Sequence, residues 1–331
     1  MLSVGLIGAG HWGPKIARCL DQLGALAAIV ELDTDRLSAL GERYPAAARF
    51  ATLDSALTGG LGGAGAVAIA TPIRTHAALV ERALFAGLHV FVEKPLCTDP
   101  RQAAALVQLA DDYGCVLHVG HTYTYHPALV MLRQMIGSGD LGTIRYATAE
   151  WSNNGIVQYD LSVLWSVGPH PLSILAWLFG GPAETVRATG AAYLGAVEDV
   201  VQLAARWPGG QCATVHLSWL APVKTRRLTI VGTAGSAVFD EQAADTLRLY
   251  DDRARLVRVA SPIGEPLLVE LATFCRRDPR VPNDGQAGVD VVRMLVSAER
   301  SIKHGGVIQL LARRVSSNGA EAFAREAEMV Q

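Results

Sequence analysis

Val4-Gly5-Leu6-Ile7-Gly8-Ala9-Gly10-His11-Trp12-Gly13 is the stretch that decides the fold. Four apolar residues read as a buried strand, and a G-x-G-x-x-G turn follows them at once. The turn opens a segment, His11 to Leu23, in which Ile16, Leu20 and Leu23 recur at helical spacing. In that context Gly8 permits the tight turn, Gly10 lets a pyrophosphate approach the backbone, and Gly13 lets the helix pack on the strand. The helix N-terminus then faces the phosphates with unpaired N–H groups and the positive end of its dipole. Glu31 ends the next apolar run, about 20 residues on, where a carboxylate accepts the ribose hydroxyls of a dinucleotide. Asp33 is the second candidate, and either acid also suits the cap of the following helix. A carboxylate at that place repels a 2′-phosphate, and no basic residue follows before Arg36, so the expected cofactor is NAD rather than NADP.

Outward from this stretch the same rhythm continues. Apolar strands at Ala27–Val30, Val67–Ala70, His89–Val92 and Val116–Val119 alternate with amphipathic helices at Asp35–Tyr44, Thr75–Ala86 and Pro100–Tyr113. Such alternation predicts a doubly wound parallel sheet, an α/β Rossmann domain over residues 1–123. Beyond it a helix at 127–137, a strand at Ile144–Glu150 and a helix-containing segment at 162–179 are expected. Strands at 184–191, 197–207, 211–219, 226–232 and 246–250 follow, mostly joined by short turns such as Pro208-Gly209-Gly210. They predict a large, mostly antiparallel sheet. With helices near 264–276 and 286–303 this makes a second, α+β domain over 124–315, and residues 316–331 read as a partly disordered tail.

Composition narrows the class. The chain has 331 residues, enough for two cores, and 50% of them are hydrophobic against 18% charged, which excludes a disordered or fibrous protein. A formal net charge of −2 gives no electrostatic reason to expect nucleic acid. No apolar run approaches the roughly 18–20 residues of a membrane span, and the N-terminus lacks a basic leader, so a cytoplasmic location is expected. The five cysteines are widely spaced and never form C-x-x-C, which argues for reduced packing residues rather than disulfides or zinc ligands.

The chemistry is expected where the strands end. Thr71-Pro72 closes the strand Val67–Ala70 and lies beside the nicotinamide half of a bound dinucleotide, with His76 holding that loop. Glu93-Lys94-Pro95 follows the apolar run Leu88–Val92, an unusual place for one of only four lysines in the chain. An ammonium at the C-terminal edge of a parallel strand sits where open α/β sheets bind ligands, whereas a solvated Glu-Lys turn is the bland alternative. His121 and His126 have no fixed ligand geometry and no thiolate or carboxylate pair to complete them, so no metal is expected.

Taken together, Ala70-Thr71-Pro72, Thr75-His76, Glu93-Lys94-Pro95 and the glycine turn resemble the Gfo/Idh/MocA family of oxidoreductases over nearly the whole chain. The resemblance implies that Lys94 lies beside nicotinamide and a substrate hydroxyl, before a cis-proline at Pro95, and that His170 is the catalytic histidine. It assigns the cofactor to Gly8, Gly10, His11, Trp12, Gly13, Glu31, Thr71, Pro72, His76, Glu93 and Lys94. A narrower similarity, carried by Val119–Ala128, Asn154-Gly155, Asp160–Trp165, Gly168–Leu175 and Pro282-Asn283-Asp284-Gly285, points to the branch that oxidises nucleotide-linked sugars at C3 and to related 3-ketoreductases. Substrate contacts are then expected from His121, Tyr123, Asn154, Asp160, Ser166 and His170. Where many members carry an aspartate, four residues before the histidine, this chain has Ser166, which cannot stabilise an imidazolium by charge. On one helix the two side chains would share a face. Val157, where relatives often place arginine, argues against an acidic sugar.

The expected activity is NAD-dependent oxidation of a secondary ring hydroxyl, on a nucleotide-linked sugar or an amino sugar of a biosynthetic pathway. Ketosugar reduction and a catalytically silent NAD-binding regulator are the alternatives. The resemblance also implies a homodimer or homotetramer formed through the outer face of the second sheet, with apolar residues of Val197–Leu203 and Cys212–Leu217 covering it.

Overall fold

The computed structural model describes residues 1–155, 161–278 and 282–311. The expected tail and the expected contact Asp160, like Val157, lie outside those residues.

The chain runs β1 (Val4–Ile7), α1 (Gly13–Gln22), β2 (Leu26–Val30), α2 (Thr34–Arg43), β3 (Ala48–Phe50), α3 (Leu53–Thr58), β4 (Ala66–Ile69), α4 (Ile73–Phe85), β5 (His89–Glu93), α5 (Pro100–Asp112) and β6 (Leu117–Gly120). These strands form one parallel sheet in the order β3-β2-β1-β4-β5-β6. β1, β4 and β6 are buried at every position, as strands covered on both faces must be. The order reverses between β1 and β4, and a doubly wound sheet binds its ligand at the C-terminal ends beside that reversal. The helices are fixed by local chemistry as well as packing. α1 buries Ile16, Ala17, Cys19 and Leu20 on one side, while Asp33 caps α2 and Asp99 caps α5 through backbone N–H groups of the first turn.

After a single 3₁₀ turn at Thr122–Tyr125 come α6 (Pro127–Gly137), β7 (Ile144–Asn154), α7 (Val163–Ser166) and α8 (Pro169–Phe179). Then follow β8 (Thr185–Ala191), β9 (Val200–Arg206), β10 (Cys212–Ser218), β11 (Leu220–Gly232), β12 (Gly235–Asp240), β13 (Leu247–Asp251), β14 (Leu256–Ala260), α9 (Pro266–Arg276), α10 (Gly285–Lys303) and β15 (Gln309–Leu310). The second sheet has nine strands in the order β14-β13-β12-β11-β7-β10-β9-β8-β15. It is antiparallel except at one seam, where β7 lies parallel to β10. Two meanders, β8 to β10 and β11 to β14, therefore flank a central β7 that comes earlier in the chain.

Two compact units result, each discontinuous in sequence. Among the described residues the first comprises 1–127, 164–181, 263–278 and 282–296, the second 128–155, 161–163, 182–262 and 297–311. In the first, Leu267, Leu271, Phe274 and Cys275 of α9 join Ile16, Leu20, Ile29 and Phe91 in one hydrophobic core. α8, which carries His170, belongs to the same unit. On β9 and β10 the residues Val201, Leu203, Ala205, Ala213, Val215 and Leu217 are buried, so the apolar positions expected on an outer face turn inward. The exposed side of these strands carries Gln202, Ala204 and Thr214 instead.

Candidate active site

The glycine turn is shaped by two clashes and one opening. Gly8 has φ +97°, and a β-carbon there would lie 2.8 Å from Ala70 O. At Gly13 it would lie 2.1 Å from Gly8 O, so neither position tolerates a side chain. Around Gly10, by contrast, an added β-carbon meets nothing within 4 Å: packing does not require glycine there, and the space suits the approach of a ligand. α1 begins at this place with no side-chain cap and no acidic residue in its first turn, leaving its positive end open to an anion. His11 is exposed within the turn, and the Lys15 ammonium stands 4.0 Å over the Trp12 ring.

Glu31 and Asp33 divide the tasks that the sequence left open between them. Glu31 Oε2 accepts the Ala9 N–H at 2.5 Å and Oε1 accepts the Asp33 N–H at 3.0 Å, which pins the carboxylate to the glycine turn with lone pairs to spare for hydroxyl donors. Asp33 Oδ1 accepts the Asp35 and Arg36 N–H groups and is occupied as the cap of α2. An open glycine turn, an uncapped helix end and a fixed acid make a cradle that fits a dinucleotide bearing a free 2′-hydroxyl.

The loops after β4 and β5 are tied to each other. Thr75 Oγ1 donates to Pro72 O at 2.7 Å, so the 2.7 Å contact with Thr71 Oγ1 has Thr71 as donor. His76 is buried with Nε2 2.8 Å from Thr71 O and Nδ1 2.9 Å from Pro95 O. Burial, with help from the Lys94 charge, holds its pKa below the ordinary histidine range against the pull of the two carbonyls. In the neutral ring that burial favours, one contact is a hydrogen bond and the other carries no proton.

The Lys94–Pro95 peptide is cis. Lys94 Nζ donates to Ser166 O at 2.8 Å. Residue 166 thus reaches the lysine through its main chain, a link that attention to its side chain overlooks. Ser166 and His170 also do not share one helix, because α7 ends at Ser166 and α8 starts at Pro169; the expected common face is replaced by a turn. Glu93 is buried at the end of β5, where the missing side chain of Gly120 leaves room for its carboxyl. Burial drives its pKa upward, the Lys94 ammonium opposes this, and the Glu270 carboxylate adds to it. Trp12 Nε1 and Glu93 Oε1 are both buried outside hydrogen-bond geometry, yet the indole N–H is near enough to ease the carboxyl slightly downward.

His121 follows β6 with both ring nitrogens buried and without a partner. Burial, then His118 and Lys94, push its pKa down to about 3. Tyr123 stands edge-on to the His170 ring, with centroids 5.2 Å apart. Lys94, His121, Tyr123, Ser166 and His170 all belong to the first unit, whereas Asn154 ends β7 in the second. Among the described residues no cluster of His, Cys, Asp and Glu could hold a metal, and no helix is long and apolar enough to cross a membrane. Sequence reasoning missed Glu270 and His118, which lie behind this site at 0% exposure. The signal for Glu270 was a lone carboxylate in the apolar run Leu267-Leu268-Val269-Glu270-Leu271-Ala272.

Comparison with known proteins agrees with this arrangement. Residues 2–121 match the oxidoreductase family with an NAD-binding Rossmann fold, and residues 129–238 match the GFO/IDH/MocA C-terminal domain. A UDP-N-acetylglucosamine 3-dehydrogenase of Acidithiobacillus ferrooxidans is 31% identical over 233 residues, 69% of this chain and 71% of that protein. This chain belongs to the Gfo/Idh/MocA oxidoreductase family. The solved structure of the same Acidithiobacillus enzyme superposes with a TM-score of 0.81 at 28% identity, covering 92% of this chain and 98% of that one. A dTDP-3,4-didehydro-2,6-dideoxy-α-D-glucose 3-reductase of Streptomyces violaceoruber is 32% identical over 123 residues, 35% of this chain and 36% of that protein. As a Gfo/Idh/MocA member the protein is an NAD-dependent oxidoreductase acting on CH–OH groups, with its first domain the NAD-binding one.

Proposed function

We propose that the protein oxidises a secondary ring hydroxyl, C3 of a nucleotide-linked sugar or of an amino sugar in a biosynthetic pathway. The observation that carries the reading is the bond from Lys94 Nζ to Ser166 O, which anchors the ammonium to the segment leading into His170 at the C-terminal edge of the NAD-binding sheet. The resemblance to a UDP-N-acetylglucosamine 3-dehydrogenase supports the choice of substrate class.

Gly8, Gly10, His11, Trp12 and Gly13 would hold the pyrophosphate, Glu31 the adenosine ribose, and Thr71, Pro72, His76 and Glu93 the nicotinamide side. When bound there, NAD supplies the acceptor for the hydride of the carbinol carbon. His170 takes the hydroxyl proton, and Lys94 hydrogen-bonds the oxygen as negative charge grows on it. Both roles run equally in reverse, so the same groups serve ketosugar reduction, the activity of the Streptomyces relative. Ser166 supplies no carboxylate at this site; its carbonyl holds Lys94, and its hydroxyl is left for the substrate. Tyr123 and His121 line the pocket.

The test is turnover of Lys94→Ala and His170→Ala on a panel of nucleotide sugars and amino sugars, read at the NADH absorbance. A loss of roughly 10²–10⁴-fold with NAD binding retained is expected. Near-native turnover in both variants would refute the assignment, and a wild-type protein that binds NAD yet reduces it with no sugar would mark a regulator instead. The same reading makes the protein a cytoplasmic homodimer or homotetramer joined through the exposed side of β7, β9 and β10, where Thr148, Gln202, Ala204 and Thr214 stand. A monomer mass by light scattering contradicts that part.

A further inference from the structure

α9 carries Glu270 in the middle of an apolar helix, and the side chain is fully buried. A carboxylate in that position persists only if donors surround it. Three do: Thr122 Oγ1 donates to Oε2 at 2.7 Å, Asn283 Nδ2 donates to Oε1 at 2.8 Å, and His118 Nε2 lies 3.3 Å from Oε1. Asn283, also fully buried, gives its other amide hydrogen to His121 O at 3.0 Å, and its Oδ1 accepts the Thr124 hydroxyl at 2.8 Å. Its own main-chain oxygen accepts the Val119 N–H at 2.9 Å. The amide orientation is settled by these partners, since its nitrogen faces two acceptors and its oxygen a hydroxyl.

The turn after β6 is therefore divided by alternation. Thr122 and Thr124 reach back to Glu270 and Asn283, while His121 and Tyr123 belong to the site: His121 feels the charge of Lys94, and Tyr123 contacts the His170 ring. Two donors converge on the His121 carbonyl oxygen at 3.0 Å, the Thr124 N–H and the Asn283 amide, while the Thr124 hydroxyl gives its proton to Asn283. Such a polar network is stiff because breaking one link strands a buried charge.

We propose that Glu270 and Asn283 are positioning residues for the oxidation, locking the 121–124 turn so that His121 and Tyr123 keep Lys94 and His170 in register. This rests on the reading of Lys94 and His170 as the catalytic pair. A displacement of a reacting group by about 1 Å costs on the order of 10²-fold in rate, so loosening the turn acts on kcat rather than on cofactor binding.

The experiment compares Thr122→Val, Thr122→Ser and Glu270→Gln with the wild type. Three quantities are read: kcat with the sugar oxidised by the wild type, Kd for NAD, and the ring signals of His170 in histidine-labelled protein, which sense the Tyr123 ring. Expected for Thr122→Val is a kcat lowered roughly 10–100-fold with Kd for NAD within about twofold and a shifted His170 signal. Thr122→Ser, which keeps the hydroxyl, restores all three. Thr122→Val leaves the carboxylate paired with Asn283 and His118, and it carries the test should Glu270→Gln not fold. Wild-type kcat together with an unmoved His170 signal in Thr122→Val overturns the proposal. If the wild type oxidises no sugar, the proposed function fails, and the His170 signal alone then decides: moved, the positioning stands; unmoved, it is overturned.

Discussion

Replacing His121 by leucine, an apolar side chain of similar volume, should flatten the acid side of the protein's stability curve. His121 is held neutral by burial, with a pKa of about 3 against 6.5 for a free imidazole. Between those values the unfolded chain binds a proton that the folded one refuses, so the group's contribution is complete above pH 6.5 and is lost as the pH falls toward 3. At pH 5 the unfolded ring is favoured by about 1.5 pK units, which corresponds to about 2 kcal/mol relative to pH 7.5. Against a typical stability of roughly 5–15 kcal/mol that is a large fraction. The leucine variant has no such proton to bind, and its two lost ring nitrogens had no partners to strand. Urea unfolding at pH 7.5, 6.5, 5.5 and 5.0, followed by the native histidine ring signals, gives both numbers in one series: the difference between wild type and variant should change by about 2 kcal/mol over that range. A native His121 signal that titrates near pH 6.5, or equal pH slopes in the two proteins, refutes the reasoning.

Further outcomes follow from the cofactor cradle. Gly13→Ala drives a β-carbon against the Gly8 carbonyl and is expected to weaken NAD roughly 10–100-fold, from an overpacking cost of about 1–3 kcal/mol, whereas Gly10→Ala should leave Tm unchanged and still weaken NAD because it fills the open space; calorimetric titration distinguishes them, and wild-type affinity in Gly10→Ala contradicts the placement of the pyrophosphate. Asp33→Ala should cost about 1 kcal/mol of stability through the lost cap with KM for NAD unchanged, while Glu31→Ala should raise that KM about tenfold; the opposite pattern exchanges the two acids.

Much of the first unit is legible because β1, β4 and β6 are buried throughout and its helices carry one apolar side, with side-chain caps on α2 and α5. The short β3 and α3 are not, since Ala48-Arg49-Phe50 has neither alternation nor a continuous apolar run and is held in the sheet by β2. In the second unit the strands expected at 184–191, 197–207, 211–219 and 246–250 lie close to their observed bounds, but 226–232 covers only the second half of β11, β12 and β14 were not foreseen, and the strand order is not legible. Nothing local in Ile144–Asn154 states that it will sit at the centre, parallel to a strand that follows it by nearly sixty residues. Alternation on β9 and β10 shows that their two faces differ without saying which is covered, and the apolar one proved to be inside. The site is partly visible for a topological reason: motifs that end β1, β4, β5 and β6 must meet, because parallel strands bring their C-terminal ends to one edge. The carbonyl of Ser166 was hidden because a main-chain oxygen leaves no trace in residue identity; Glu270 stands out as a lone acid in an apolar run, but its link to the turn after β6 was hidden because Thr122 and His118 are more than a hundred residues away.

The position of α9 also sets a schedule for the ribosome. The glycine turn, Glu31 and Lys94 are all made within the first hundred residues, but the core beneath them lacks Leu267, Leu271, Phe274 and Cys275 until the chain has grown past residue 275. At about 5–20 residues per second, the nascent chain waits on the order of ten seconds or more between the last strand of the parallel sheet and the helix that closes it. A gene fragment ending near residue 127 would be stranded in that interval permanently. The nucleotide-binding part of this chain is therefore expected to need its late helix α9, although its first half reads like a module complete in itself.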